Sequence, residues 1–131
     1  MSLSAATKSI SGRFAILTHD HPFLHWDLLL EEGDSLRTWR LHEAPSVPAE
    51  IAAEALPPHR PLYLDYEGPV SGNRGHVTQW DRGIYTRLAE SDERLTVSLD
   101  GSRLQARLEL VTTESGVRAY FTPPTDKPRA T

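Results

Sequence analysis

The sequence predicts a mainly β protein: a small closed or partly open β-barrel of about eight strands, with one or two short flanking helices. Short apolar segments recur at intervals of roughly 8–12 residues, and several of them alternate apolar and polar side chains. Clusters of glycine, proline, aspartate and serine separate these segments and are typical of turns. At 131 residues the chain is long enough for one domain with its own core.

The first half of the chain contains three predicted strands, at 13–18, 24–32 and 36–41. Pro22 and Gly33 mark the turns between them, because proline restricts its neighbour and glycine accepts tight turn geometry. Residues 49–56 predict the one clear helix, since alanine and glutamate favour helix and the prolines at 57 and 58 would end it.

The second half is predicted to consist of hairpins. Tyr63–Tyr66 is a candidate short strand, and the glycine-rich stretch 68–75 is a predicted loop. Strands at 76–80 and 84–88 are expected to flank a tight turn at 81–83, and Asp100-Gly101 is a strong turn signal ahead of the closing strands. We expect a flexible segment at 1–11, the barrel domain at 12–122 and a flexible tail at 123–131.

Composition narrows the classes of function. No run of eighteen apolar residues is present, so no membrane span is expected, and the first residues lack the apolar core of a secretory signal. Cysteine is absent, which fits a reducing compartment, and we expect a cytoplasmic protein. The net charge is −4 and there is no block of Lys or Arg, so any contact with nucleic acid should be local, at an end rather than along a duplex.

Half of the six histidines fall within residues 18–31. In a strand at 24–31 the side chains alternate, so His25, Asp27 and Leu29 share one face and the intervening apolar residues face the core. His19 ends the preceding strand and would complete a His-His-Asp set that suits Mn²⁺, Fe²⁺ or Zn²⁺. The alternative is a hydrogen-bonded surface pair without a metal. His21 is left out of the ligand set, because it lies in the turn beside a proline.

A second group of polar side chains follows the predicted helix. His59 and Tyr63 are four residues apart on either side of a proline segment. A histidine can protonate a leaving oxygen and a tyrosine hydroxyl can hold a phosphate oxygen. The alternative is a loop histidine beside a packed tyrosine.

Several motifs resemble, in order, those of the 3′-phosphoesterase domain of bacterial DNA ligase D. The first is His-Asp followed by Leu-His-Trp-Asp-Leu and Leu-Glu, between residues 19 and 31. Three more segments continue the resemblance, over about residues 12–121: Trp39 with Pro45-Ser46, His59…Tyr63-Leu-Asp-Tyr-Glu-Gly68, and Trp80-Asp-Arg-Gly83.

The resemblance implies a small β-barrel that uses Mn²⁺, or another divalent ion such as Zn²⁺, to trim 3′ ends of DNA during end joining. It implies removal of a 3′-terminal ribonucleoside and then of the 3′-phosphate. It assigns His19, His25 and Asp27 as metal ligands, and His59 and Tyr63 as the catalytic contacts to the scissile phosphate. Nucleic-acid 3′ ends, and end-joining ligase or polymerase proteins, are the partners it implies.

The chain departs from the family pattern at two positions. Leu29 stands where the family has a phosphate-binding arginine, and Glu43 stands where it has a basic residue. Arg40, His42 and Arg60 are the candidate phosphate contacts that would compensate. We therefore expect an Mn²⁺-dependent phosphoesterase. The alternatives are a non-catalytic, metal-containing module that binds nucleic-acid ends or a partner, and a phosphoesterase for a different small phosphate ester.

Overall fold

The computed structural model describes residues 10–124 and contains nine β-strands that form one antiparallel sheet. The strands are β1 Ile10–His19, β2 His25–Glu32, β3 Ser35–Leu41, β4 Ala49–His59, β5 Gly68–Pro69, β6 His76–Glu90, β7 Arg94–Gly101, β8 Gln105–Thr113 and β9 Gly116–Thr122. Residues 1–9 and 125–131, which hold most of the two segments predicted to be flexible, lie outside the described residues. Residues 10 and 11 already belong to β1.

Eight of the strands close into a barrel, which confirms the predicted fold class. The order is β1-β2-β3-β4-β9-β8-β7-β6, and β6 pairs again with β1 to close the sheet. The two-residue strand β5 adds to β6 outside this ring. All eight barrel strands contribute to one apolar interior, in which Phe14, Leu28, Leu108 and Phe121 are fully buried.

A second apolar cluster lies on the outer face of β1, β2, β3 and β6. Ala15, Leu17 and Leu29 alternate with residues of the barrel interior and therefore point outward. Leu64 and Val70, from the segment between β4 and β6, cover them. The barrel is thus packed on both sides at this place, and polar side chains next to the cluster are shielded from water.

The prediction of a helix at 49–56 is wrong, because these residues form most of β4. Ile51 and Ala53 are buried at alternate positions, and the strand pairs with β3 on one side and β9 on the other. The helix propensity of alanine, a few tenths of a kcal/mol per residue, is small beside two ladders of hydrogen bonds and burial. Pro57 and Pro58 lie in a β-bulge, where a missing N–H costs little.

Two further local predictions are corrected. Residues 61–64 form a 3₁₀ turn instead of contributing to a short strand. Asp81-Arg82-Gly83 is not a hairpin turn, because β6 runs unbroken through it for 15 residues with a bulge at Trp80. The buried Asp81 carboxylate accepts hydrogen bonds from the backbone N–H groups of Arg82, Arg103 and Leu104, so it fastens the β7–β8 turn to β6.

No helix among residues 10–124 is long and apolar enough to cross a membrane.

Candidate metal centre and phosphate cleft

His19, His25 and Asp27 meet on the outer face of the barrel, beside the second apolar cluster. In the antiparallel pair of β1 and β2, His19 lies opposite His25, and Leu17 lies opposite Asp27. Cross-strand partners share a face, so the three side chains point outward together. The alternation predicted for β2 is therefore the alternation observed.

The ligand atoms of these three side chains all lie within 4.8 Å of one another. Asp27 is central: its Oδ2 is 3.2 Å from His19 Nδ1, and its Oδ1 is 3.0 Å from His25 Nε2. His25 is 0% exposed and Asp27 is 3% exposed. These separations suit neighbouring ligands of one ion, since such ions bind nitrogen and oxygen at roughly 2.0–2.2 Å.

Backbone carbonyl groups fix the tautomers of both imidazoles. His25 Nδ1 is 2.9 Å from the carbonyl oxygen of Phe23, and His19 Nε2 is 2.9 Å from the carbonyl oxygen of Arg74. A carbonyl oxygen only accepts, so each of these nitrogens carries the proton and donates. In the neutral rings, the other nitrogen therefore presents its lone pair toward the Asp27 carboxylate. Histidine metal ligands usually donate one ring N–H to such an acceptor and keep the other nitrogen free for the ion.

The result is a buried pair of acceptors that face one another. His25 Nε2 and Asp27 Oδ1 are only 3.0 Å apart, yet neither makes an aligned hydrogen bond to any group in residues 10–124. Buried polar atoms without partners are rare and costly. A shared divalent cation would satisfy both atoms and His19 Nδ1 at once, so the residues present fit a metal. A proton on His25, which would make a simple ion pair, is the competing arrangement.

Asp20 holds this centre in place from the β1–β2 turn. Its Oδ1 accepts a 2.7 Å hydrogen bond from the backbone N–H of His76, which lowers the pKa of the Asp20 carboxyl. Gly75 lies against this carboxylate with φ +80°, and a Cβ there would clash with it. The contact ties the turn to β6, next to the carbonyl group that orients His19.

A cleft of about 450 Å³ opens over the centre. Most of the residues that the sequence analysis predicted for the site line this cleft. They are His19, His25, Asp27, His59, Tyr63, Arg40 and Arg60. His42 is not among the residues that line it. Instead, His42 Nε2 lies 2.9 Å from Glu54 Oε2.

His59 and Tyr63 line the cleft from the end of β4 and from the 3₁₀ turn that follows it. His59 ends β4, and its Nδ1 donates to the carbonyl oxygen of Pro57 at 3.1 Å, which leaves Nε2 for another partner. Tyr63 lies in the 3₁₀ turn, with its ring edge-on to His59 at 5.9 Å. The two-proline bulge in β4 and the 3₁₀ turn together set their relative position.

Arg40 enters the cleft from β3, directly opposite Asp27 in the β2–β3 register. Its Nε is buried and has no hydrogen-bond partner within the described residues, and its Nη1 is 3.7 Å from Glu54 Oε1. Leu29, by contrast, is fully buried in the second apolar cluster. An arginine of the neighbouring strand, Arg40, thus lies beside the centre where Leu29 cannot contribute.

Two polar lining residues were outside the predicted site. Arg74 both lines the cleft and orients His19 through its carbonyl oxygen, and His21, set aside as a ligand, lines the cleft without joining the His-His-Asp set. Sequence spacing carried no signal for Arg74, because its proximity depends on how the 68–75 segment folds back over β1.

The charge of the cleft is opposite to that of the whole chain. Its lining includes three arginines, Arg40, Arg60 and Arg74, and one carboxylate, Asp27. The full sequence has 14 Lys and Arg against 18 Asp and Glu. Basic residues are thus concentrated where an anion would approach.

Comparison with known proteins agrees with the motif resemblance. The sequence model of the DNA Ligase D 3′-phosphoesterase domain matches residues 17–112. The chain belongs to this family. It is also 31% identical, over 111 residues, to the multifunctional non-homologous end joining protein LigD of Pseudomonas aeruginosa strain PAO1. That alignment covers 77% of this chain and 13% of the relative, so this phosphoesterase-family chain spans a small part of the relative's length.

Proposed function

We propose that the protein is a divalent-metal-dependent 3′-phosphoesterase that removes phosphate or a terminal ribonucleoside from the 3′ ends of DNA in end joining. One observation carries the proposal: the buried His25 Nε2 and Asp27 Oδ1, which have no hydrogen-bond partner among residues 10–124, face one another beside His19 in a basic cleft. Membership of the phosphoesterase family and the likeness to an end-joining protein support the reaction class and the setting.

In this proposal His19 Nδ1, His25 Nε2 and Asp27 hold the ion. Mn²⁺ is the expected ion and Zn²⁺ an alternative, because imidazole and carboxylate ligands suit both. The bound ion would polarise the phosphoryl oxygens and activate a water molecule for attack.

The remaining residues bind and orient the phosphate ester. Arg40 donates to phosphate oxygens from β3, and its partly buried position strengthens a charge-assisted pair. Arg60, at the cleft entrance, adds a second positive charge. His59 protonates the leaving oxygen from Nε2, since its Nδ1 is held by Pro57, and the Tyr63 hydroxyl group donates to a phosphate oxygen.

The substrate is expected to be an end rather than a length of nucleic acid. The three cleft arginines reach a few phosphates, whereas a net charge of −4 is unfavourable for long electrostatic contact. End-joining ligase or polymerase proteins are the proposed partners, in line with the relative's name as a non-homologous end joining protein.

The direct test is phosphate release from a 3′-phosphate oligonucleotide in the presence of Mn²⁺. Asp27→Asn preserves side-chain volume and removes a ligand, so we expect release to fall by at least about 100-fold, more than the roughly 10–100-fold typical of lost outer-shell groups. Asp34→Asn, in the exposed β2–β3 turn, is the matched control and should keep the full rate. Equal rates for both variants would reject the proposal.

A second candidate is a binding module that keeps the metal and the basic cleft but does not hydrolyse. It is favoured by Leu29, which is buried in apolar surroundings and cannot contact phosphate, and by the exposed Glu43. It predicts Mn²⁺ binding and salt-dependent binding of 3′-phosphate ends without phosphate release. Release from small phosphomonoesters or phosphodiesters but not from oligonucleotides would instead identify a different phosphate ester as substrate.

A further inference from the structure

An aromatic ring lies exposed at the rim of the cleft. Phe23 follows the cleft residues His21 and Pro22 in the β1–β2 turn and is 45% exposed. Single exposed apolar side chains are ordinary on protein surfaces. Phe23 differs from the exposed Ile84 and Leu88 of β6, because polar side chains of the site hold its ring in place.

Three contacts position the Phe23 ring. His42 stacks on it with ring centroids 5.8 Å apart and an interplanar angle of 29°. The Arg40 guanidinium lies 5.4 Å from the ring centroid, and His25 meets the ring edge-on at 5.6 Å. His42 Nε2 in turn lies 2.9 Å from Glu54 Oε2.

These contacts leave part of Phe23 uncovered. Arg40 lies on β3, which ends at Leu41, and His42 follows at a bend, where its backbone N–H still donates to the Ala52 carbonyl oxygen on β4. Both side chains contact the Phe23 ring. Almost half of Phe23 stays exposed to receive a flat group from solvent.

We propose that Phe23 and His42 form a stacking platform for the nucleobase of the terminal nucleotide that carries the phosphate ester. This inference rests on the proposed function. It assigns a binding surface to the nucleobase, for which the phosphate-binding residues of the cleft provide none. A phosphate bound by Arg40 leaves its nucleoside next to the ring that the same guanidinium contacts. Every nucleobase has a flat π-face, so such a platform accepts any base.

The platform would also add binding affinity that an acidic protein cannot obtain from ionic contacts. The basic cleft holds only a few phosphates, so ionic contact along a strand contributes little. Stacking supplies affinity that salt does not screen. It predicts that the protein distinguishes an end bearing a base from an end that bears the same phosphate without one.

The experiment compares two DNA oligonucleotides with identical 3′-phosphates, one with a normal terminal nucleotide and one with an abasic terminal nucleotide. For the Mn²⁺-loaded protein we expect kcat/KM for phosphate release to be about 5- to 10-fold higher on the base-bearing end. Phe23→Ala should reduce this ratio to below about 2, while Phe23→Tyr should keep it. Leu88→Ala is the control, because Leu88 is 46% exposed on β6 and should leave the ratio unchanged.

A second readout does not depend on turnover. 2-Aminopurine at the 3′-terminal position loses fluorescence when it stacks, and stopped-flow mixing records this before phosphate is released. We expect quenching by the native protein and by Phe23→Tyr, and little quenching by Phe23→Ala.

The outcomes separate the platform from the reaction. Phosphate release at equal rates from both ends, without quenching, overturns the platform and leaves the proposed function standing. Quenching that needs Phe23, without release, supports the platform on a non-catalytic end-binding module. Neither quenching nor release overturns both.

Discussion

Two aspartates are buried in this barrel, and they differ in what surrounds them. Asp81 is 4% exposed and accepts three backbone hydrogen bonds, at 2.8, 2.9 and 2.9 Å. Asp27 is 3% exposed, but it faces two imidazole nitrogens whose tautomers are set by distant carbonyl groups. The two carboxylates are thus equally buried but differ in how many hydrogen bonds they accept.

The difference assigns the two carboxylates to different tasks. Asp81 has all the partners it needs within its own chain, so its negative charge stabilises the fold. Asp27 has an oxygen that no donor in residues 10–124 satisfies, so its charge is available to a cation. A buried carboxylate indicates a functional site when its neighbours do not supply hydrogen-bond donors to all of its oxygens.

The largest effect on folding is expected at Asp81. Asp81→Asn replaces a charged acceptor of three backbone N–H groups with a neutral amide, and we expect a loss of about 2–4 kcal/mol in the free energy of unfolding. Urea denaturation would measure it. Asp27→Asn should cost less than about 1 kcal/mol without metal, since it breaks no satisfied network. Equal losses would remove the distinction between the two aspartates.

A smaller effect is expected at Arg40, whose buried Nε also lacks a hydrogen-bond partner in the part of the chain that the structure describes. Arg40→Met keeps most of the apolar stem and removes the charge, so affinity for a 3′-phosphate oligonucleotide should fall by roughly 10- to 100-fold, as expected for hydrogen bonds to a charged group. Fluorescence anisotropy would measure it, with stability nearly unchanged.

Arg118→Met provides the control for that measurement. Arg118 is paired with Glu50 at 3.0 Å on the surface of β9 and β4. Its loss should leave affinity within about twofold, because exposed pairs are worth little. A similar loss of affinity in both variants would show that Arg40 acts only through general charge.

The smallest effect is expected at an exposed, satisfied carboxylate. The hydrogen bond from Arg37 lowers the pKa of Glu90, so the contribution of this pair is present above the unfolded pKa of the carboxyl group. It is lost as the pH falls through the lowered folded value. Glu90→Gln should therefore destabilise by about 0.5 kcal/mol or less at neutral pH, with solvent screening included. In acid the difference should vanish, and thermal melts across pH would show it.

Sequence alone was sufficient for what depends on local pattern. The strand alternation that places His25 and Asp27 on one face, and the turn that returns His19 to them, both follow from residues close together in the chain. The barrel followed from the same short alternating segments. The assignment of His19, His25 and Asp27 as ligands stays a prediction until a metal is measured.

What the sequence did not predict depends on pairing between distant segments. Residues 49–56 favour helix locally and become a strand because β3 and β9 lie on either side. Asp81 looked like a turn residue because Asp-Arg-Gly is typical of turns. Two of its three hydrogen-bond donors come from residues 103 and 104, which are distant in sequence. Arg74, which the sequence did not single out, reaches the cleft because the 68–75 segment folds back over β1.

The central claim is that the incomplete acceptors around Asp27 bind a divalent ion. Titration calorimetry with Mn²⁺ tests it most directly, on the native protein and on Asp27→Asn, with His21→Ala as the control histidine. We predict one ion per native chain, an unchanged stoichiometry in His21→Ala, and loss of binding by at least about 100-fold in Asp27→Asn. Absence of Mn²⁺ and Zn²⁺ binding to the native protein would contradict the account and leave His25 and Asp27 as a buried ion pair.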